Sequence, residues 1–264
     1  MPADSTIRPA VLIVGGFLTS PFLYLPLRRR LLARGAATIA IAPIWTFDWI
    51  RAAAVGLAPL VRRTATAIRR TRAQADEPII VVGHSAGGVL ARLATSPMPD
   101  RGEPQAVAAV AELIGTLVTL GSPHVVQAEP WRGQRAGADA SRFLEATVPG
   151  AFFSPRTQYL SVASRAMQGR AGWLPDRRVR AGHAYRSLLG AQGGDAFGDG
   201  LVPFEAGHLP GARQVSLDTA LHGHLGRGWY GDTPALDVWW PAALEAWREA
   251  LEARAVEAQQ DLVR

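Results

Sequence analysis

The chain of 264 residues contains no cysteine. That excludes disulfides, a thiol nucleophile and thiolate metal sites. Lysine is missing as well, so all 28 basic residues are arginine. Arginine used so uniformly, beside abundant alanine and glycine, reads as biased coding and not as a binding site. The clusters Arg28-Arg29-Arg30, Arg62-Arg63, Arg69-Arg70 and Arg177-Arg178 are taken as solvated helix faces; the alternative is an acidic partner or a membrane surface. No nucleic-acid partner is expected, despite a formal net charge of +6. No run approaches the ~18 apolar residues of a membrane span. The apolar stretch Ala10 to Val14 is too short for a signal sequence and leads straight into Gly15-Gly16, so a cytoplasmic location is expected. Repeats and low-complexity linkers are absent. At 19% charged and 48% hydrophobic, the chain can fill a sizeable core and is not a disordered one. The length suits one large α/β domain over 1–264.

What is present is organised around Ile79-Ile80-Val81-Val82-Gly83-His84-Ser85-Ala86-Gly87-Gly88. The β-branched run reads as a strand buried on both faces, as in a parallel sheet. The next five residues fit G-x-S-x-G, a strand-to-helix turn with Ser85 at its apex. A Cβ at Gly83 or Gly87 would crowd the neighbouring strand and helix, which is why both are glycine. The helix expected from Ala86 to about Thr95 points its positive end at Ser85, where it can stabilise negative charge. Preceded by a strand and followed by a helix, the motif marks Ser85 as a nucleophile.

Other stretches fall into place around it. Ala10 to Val14 is a buried strand ending in Gly15-Gly16-Phe17. With Ser85 as nucleophile, the backbone N–H groups of Phe17 and Ala86 are the expected oxyanion donors. Pro21 to Arg34 reads as an amphipathic helix, Ala37 to Ala42 as a strand, and Leu57 to Arg72 as a helix. Between them, Pro43 to Trp49 is expected to be a loop whose Trp45, Phe47 and Trp49 either line an apolar mouth or simply pack. Ile114 to Leu120 is a further central strand, leading to His124, which reads as a loop or pocket-wall residue. Val125 to Pro155 has little strand pattern and several aromatics, and is expected to cover the sheet as a cap. Leu18, Trp45, Phe47 and Phe152 are the expected substrate contacts. Arg132, Arg135 and Arg142 in the cap are the alternative, an anion-binding one. Gln158 to Ala163 is a strand, and Arg165 to Gly198 carries little readable pattern.

Asp199 stands between two glycines in Gly198-Asp199-Gly200-Leu201-Val202-Pro203. That turn suits an acid that orients a histidine. His222 follows the last short strand, Val215-Ser216-Leu217, which gives the order Ser, Asp, His. His224 competes with His222, and Asp195 and Asp218 compete with Asp199. Thr233-Pro234 and Trp240-Pro241 are helix-start signals, and a final helix is expected from about Ala242 to Val256.

Taken in order, Gly15-Gly16-Phe17-Leu18, Gly83-His84-Ser85-Ala86-Gly87-Gly88, Leu120-Gly121-Ser122-Pro123-His124, Pro149-Gly150-Ala151-Phe152, Gly198 to Pro203, His208 to Ala212 and Trp229-Tyr230-Gly231 form a set. That set resembles a lipase-like branch of the α/β-hydrolase superfamily found in cyanobacteria and plant plastids. It is also similar to bacterial triacylglycerol lipases, whose acid lies in a like Asp-Gly-Leu-Val turn with the histidine at similar spacing. The resemblance implies a mainly parallel central sheet with helices on both faces and a cap insertion at 125–155. It implies hydrolysis of a small-molecule or lipid ester by Ser85, His222 and Asp199 through an acyl-enzyme. Gly15-Gly16 departs from the His-Gly of many lipases, and no counterpart of their calcium site is present, so no metal and no cofactor are expected. A thioesterase or acyltransferase would use the same residues, and a non-catalytic binding module is the third reading. Contact with a lipid surface is expected to be transient, without a stable span.

Overall fold

The computed structural model describes residues 7–97, 110–128, 135–173, 176–223 and 228–263. Its centre is a six-stranded sheet formed by β1 (Ala10–Val14), β2 (Thr38–Ile41), β3 (Ile79–His84), β4 (Ile114–Leu120), β5 (Gln158–Ser164) and β8 (Arg213–Leu217). The order is β2-β1-β3-β4-β5-β8, and every neighbouring pair is parallel. Two short strands, β6 (Met167–Gln168) and β7 (Phe197–Gly198), pair antiparallel beside it.

The apolar runs fill both faces of this sheet because side chains alternate along a strand. Leu12, Val14, Val81 and Leu117 point into one core. It is closed by α2 (Thr46–Val55), α3 (Ala58–Arg72), α4 (Ala86–Ala94) and α5 (Arg135–Thr147). Val11, Ile13, Ile80, Val82 and Val118 point into the other, covered by α1 (Leu25–Ala33) and α7 (Thr233–Val263). Three tryptophans of α7, Trp239, Trp240 and Trp247, lie fully inside the second core. The Trp247 indole N–H also donates to Pro78 O at 2.6 Å. Replacing Trp247 by alanine should therefore lower the unfolding free energy by about 3–5 kcal/mol. The check is a lower denaturant midpoint at an unchanged m-value.

Two expectations change. Pro43 to Trp49 is not all loop, because α2 begins at Thr46. Asp48 closes its first turn by accepting the Trp45 N–H at 2.9 Å, a carboxylate doing the work of a helix cap. The last helix starts at Thr233 and runs through Pro241. A proline inside a helix costs roughly 3 kcal/mol, and the buried tryptophans on either side of it offset that. Within the stretch 125–155, Arg135–Thr147 is the helix α5. Adjacent parallel strands need a crossover, and α5 is the crossover between β4 and β5. Its Ala140 and Leu144, with Val148 just beyond, belong to the first core.

The stretch after β5 has more order than its sequence pattern suggests. It contains β6, α6 (Arg177–Leu189) and β7. Tyr185 of α6 is fully buried. Among the described residues no helix is long and apolar enough to cross a membrane.

Candidate active site

In a parallel sheet all strands end at one edge, and the residues singled out for chemistry gather there. Ser85 follows β3 with φ 54° and ψ −128°, a backbone conformation that a residue with a side chain adopts only when its surroundings hold it there. Its N–H donates to Leu120 O at 2.9 Å. The flanking glycines are dictated by space. A Cβ on Gly83 would sit 2.4 Å from Gly88 Cα, and one on Gly87 would sit 2.1 Å from Val14 O.

Ser85 O–H donates to His222 Nε2 at 2.9 Å. His222 Nδ1–H donates to Asp199 Oδ2 at 2.8 Å, which fixes the tautomer with a free lone pair on Nε2. Asp199 is 1% exposed, while Ser85 and His222 are each 9% exposed. The acid is thus buried and the pair it orients still meets the surface. Asp199 Oδ1 accepts the N–H groups of Leu201 at 3.0 Å and Val202 at 2.7 Å. Gly200, at φ +99°, supplies the left-handed residue this tight turn needs. The His222 N–H donates to Asp199 O at 2.9 Å, so acid and histidine are tied through backbone and side chain.

The loop after β1 approaches from the other side. A Cβ on Gly16 would lie 2.9 Å from Ser85 Cβ, so the loop can come this close only with glycine there. The turn closes by Thr19 N–H donating to Gly16 O at 3.2 Å, with Leu18 at φ 56°. That hydrogen bond does not use the Phe17 N–H. The Ala86 N–H, first in α4, has no acceptor within its own helix. Thr46 O–H donates to Leu18 O at 3.1 Å, and Ser20 and Thr46 hydroxyls meet at 2.8 Å. These bonds hold the Leu18 turn against the head of α2. Phe17, Leu18, Trp45 and Phe47 are all more than two-fifths exposed, and the Phe17 ring meets buried Trp49 edge-on at 5.5 Å.

Phe152 does not join this group. It lies in the turn leading into the amino end of β5, the opposite edge of the sheet from Ser85, where its ring packs edge-on against Phe153 at 5.1 Å. An aromatic before a parallel strand and one after it end up on opposite sides of the molecule. His224 and Arg132 lie outside the described residues. Arg142 is paired with Asp139 at 2.7 Å. Asp195 closes a 3-10 turn, and the carboxylate that reaches His222 is that of Asp199. His124 is buried, with Nε2 at 3.0 Å from Thr119 Oγ1. Burial and neighbouring Arg92 push its pKa well below the ordinary histidine value. A groove of about 630 Å3 between β2 and α3, edged by Arg62, Arg63 and Arg70, shares no residue with the Ser85 cluster.

Further residues enter the site that sequence reasoning did not single out. His84 Nε2–H donates to His222 O at 3.1 Å. That leaves Nδ1 to accept from the Tyr24 hydroxyl at 3.0 Å, and the Tyr24 oxygen accepts the Gly16 N–H at 2.8 Å. One chain of hydrogen bonds thus joins the Gly16 loop to the His222 loop beneath Ser85. Burial pushes the Tyr24 pKa up to about 12, so the phenol keeps the proton this chain requires. The Gly200 N–H donates to the Tyr185 hydroxyl at 2.8 Å, which donates on to Met167 O at 3.0 Å. The irregular stretch after β5 therefore braces the Asp199 turn. The available signal was weak: His84 was visible only as the variable residue of G-x-S-x-G.

Comparison with known proteins follows the same outline. Residues 58–136 match a family model described as a PGAP1-like alpha/beta domain. No curated protein sequence matches the chain. Among solved structures it is similar to the Bacillus licheniformis lipase BlEst2 in its mature form. The TM-score is 0.56 at 14% identity, covering 92% of this chain and 93% of that one. It is also similar to a structure of the metagenome-derived lipolytic enzymes LipS and LipT, with a TM-score of 0.49 at 14% identity over 81% of this chain and 85% of that one. Identity this low speaks to fold, and the first match carries that point. A parallel six-stranded sheet with helices on both faces, a glycine-flanked serine turn at its carboxyl edge and a fold match over nine-tenths of both chains give this chain the α/β-hydrolase fold.

Proposed function

We propose that the protein is a serine hydrolase that cleaves carboxylic esters through an acyl-enzyme. The observation that carries this reading is the unbroken hydrogen-bond line from Ser85 through His222 to Asp199. Serine is a poor nucleophile at its own pKa. As Ser85 Oγ attacks the ester carbonyl, its proton passes to His222 Nε2. Asp199 stabilises the imidazolium and does not itself take the proton. The N–H groups of Phe17 and Ala86 hold the oxyanion of the tetrahedral intermediate, and the positive end of α4 adds to their field. The intermediate then collapses: the C–O bond to the alcohol breaks, and the alcohol leaves with the proton from His222. Water attacks the acyl-enzyme, giving its proton to His222, and release of the acid restores Ser85.

The exposed apolar side chains beside Ser85 support a neutral, apolar acyl group and passing contact with a lipid surface. Phe17, Leu18, Trp45 and Phe47 are held on two tied segments, and we assign Leu18, Trp45 and Phe47 to substrate contact. Residues 1–264 act in this reading as one catalytic domain.

The test is labelling with a fluorophosphonate probe, then turnover of a p-nitrophenyl ester beside an acyl-CoA thioester. Labelling of the wild type but not of Ser85→Ala, with ester cleaved, supports the reading. Thioester cleaved in preference to ester would move the substrate class, and an unlabelled wild type would remove the serine mechanism.

A further inference from the structure

Asp199 has room for four hydrogen bonds on its carboxylate, and all four positions are filled. Leu201 and Val202 N–H groups occupy Oδ1. Oδ2 is shared: it accepts His222 Nδ1–H at 2.8 Å and the Tyr230 hydroxyl at 2.9 Å. The second donor plays no part in the acyl-transfer steps above. Tyr230 is fully buried, and its placement is specific. Trp239 of α7 donates its indole N–H to Tyr230 O at 2.8 Å. Asp232 accepts the Gly228 and Trp229 N–H groups, and Arg30 of α1 pairs with Asp232 at 3.1 Å. Gly121 opens the way for the phenol. A Cβ there would lie 2.6 Å from Asp199 Oδ2 and 3.0 Å from the Tyr230 hydroxyl.

We propose that Tyr230 is a positioning residue that sets the proton affinity of the His222–Asp199 pair by competing with His222 for Asp199 Oδ2. The proposal rests on the serine-hydrolase reading. A phenol donating to a carboxylate draws negative charge from the oxygen that also holds His222. The imidazolium formed in the first step is then less stabilised and returns its proton to the departing alcohol more readily. The phenol must stay protonated to do this. Burial first, and then the Asp199 charge, push its pKa well above the ordinary tyrosine value. Two other titratable groups face the pair among the described residues. His84 has its ring centre 5.0 Å from that of His222 and contacts the backbone O of His222. Tyr185 is bonded to Gly200 next to Asp199. Neither donates to Asp199 Oδ2.

The experiment is the pH profile of kcat/KM for a p-nitrophenyl ester in wild type and Tyr230→Phe. Phenylalanine keeps the ring and deletes only the donor. Without that donor, Asp199 holds the protonated histidine more tightly. The acid limb should move to higher pH by about one unit. Below the limb kcat/KM should fall about tenfold, and on the plateau it should stay within a few fold. A purely structural role would loosen the pair, lower kcat at all pH values and leave the limb in place or move it down. A second variant carries the test if Tyr230→Phe does not fold. Site-specific 3-fluorotyrosine at position 230 is a more acidic phenol and a better donor, and should move the limb to lower pH. An unmoved limb in a folded variant, or a shift of opposite sign, overturns the proposal. Ser85→Ala separates the two ideas. If it abolishes turnover while the limb of Tyr230→Phe stays fixed, only the Tyr230 inference fails. If Ser85→Ala keeps turnover, the serine reading itself fails.

Discussion

Ser85→Ala is expected to cut kcat by roughly 10⁴- to 10⁶-fold and to abolish labelling by a fluorophosphonate. The removed oxygen is both the attacking atom and the probe's site of attachment. His222→Ala is expected to cost a similar factor, because Ser85 then has no acceptor for its proton. The two losses should not add. Residues that act as one unit fail together, so the double variant should be about as slow as either single one. What survives should be the contribution of the Phe17 and Ala86 N–H groups and of substrate binding. His224→Ala should be mild by comparison. Stopped assays on purified variants, with thermal melts to show that each is folded, decide this. A severe His224 variant beside a mild His222 one would transfer the base to His224, and an active Ser85→Ala would end the serine mechanism.

The central part of this site was legible because its constraints are local. Gly83 and Gly87 are forced by contacts of under 2.5 Å with Gly88 and Val14, and a strand and helix flank them in the sequence. Gly200 is likewise forced by the turn that lets Asp199 bond its own neighbours. The inner strands β1 and β3 were readable because both of their faces are covered, which turns each into a continuous apolar run. Helix ends were less readable. The Trp45 stretch looked like a loop because its capping group, Asp48, lies inside the helix and not before it. Pro241 looked like a start because local propensity cannot see Trp239 and Trp247 buried on the far side of the sheet.

The supporting residues were not legible, for a related reason. Tyr24 meets His84 across 60 positions, and Tyr230 meets Asp199 across 31. A hydrogen bond of that kind leaves no period and no motif in a single sequence. Phe152 is a different case. Its aromatic character suggested a pocket, but which edge of a parallel sheet a turn occupies depends on whether it precedes or follows its strand. Phe152 precedes β5, whereas Phe17, Ser85 and His222 all follow theirs.

The same geometry sets the expected preference for the acyl chain. Phe17 and Leu18, in the loop whose Gly16 meets Ser85, and Trp45 and Phe47, at the head of α2, are all exposed, and in the proposed reading they form the acyl surface. Arg142 of α5 is engaged by Asp139, and Ala140 and Leu144 of that helix belong to the core. An acyl chain leaving Ser85 over the acyl surface trades water for aromatic and aliphatic contact. Each methylene fully removed from water contributes about 0.8 kcal/mol, or roughly fourfold. Octanoate has about six more carbons than acetate. An exposed surface covers only part of each one, so the gain in kcat/KM is expected to be on the order of a hundredfold, short of the few thousandfold that full burial implies. Trp45→Ala and Phe47→Ala should shrink that gain several-fold while leaving acetate turnover nearly unchanged, because acetate does not reach them. Phe152→Ala should change neither, since it sits at the other edge. Equal rates for acetate and octanoate, with a marked gain for an ester carrying a negative charge, would replace the apolar surface by an arginine site.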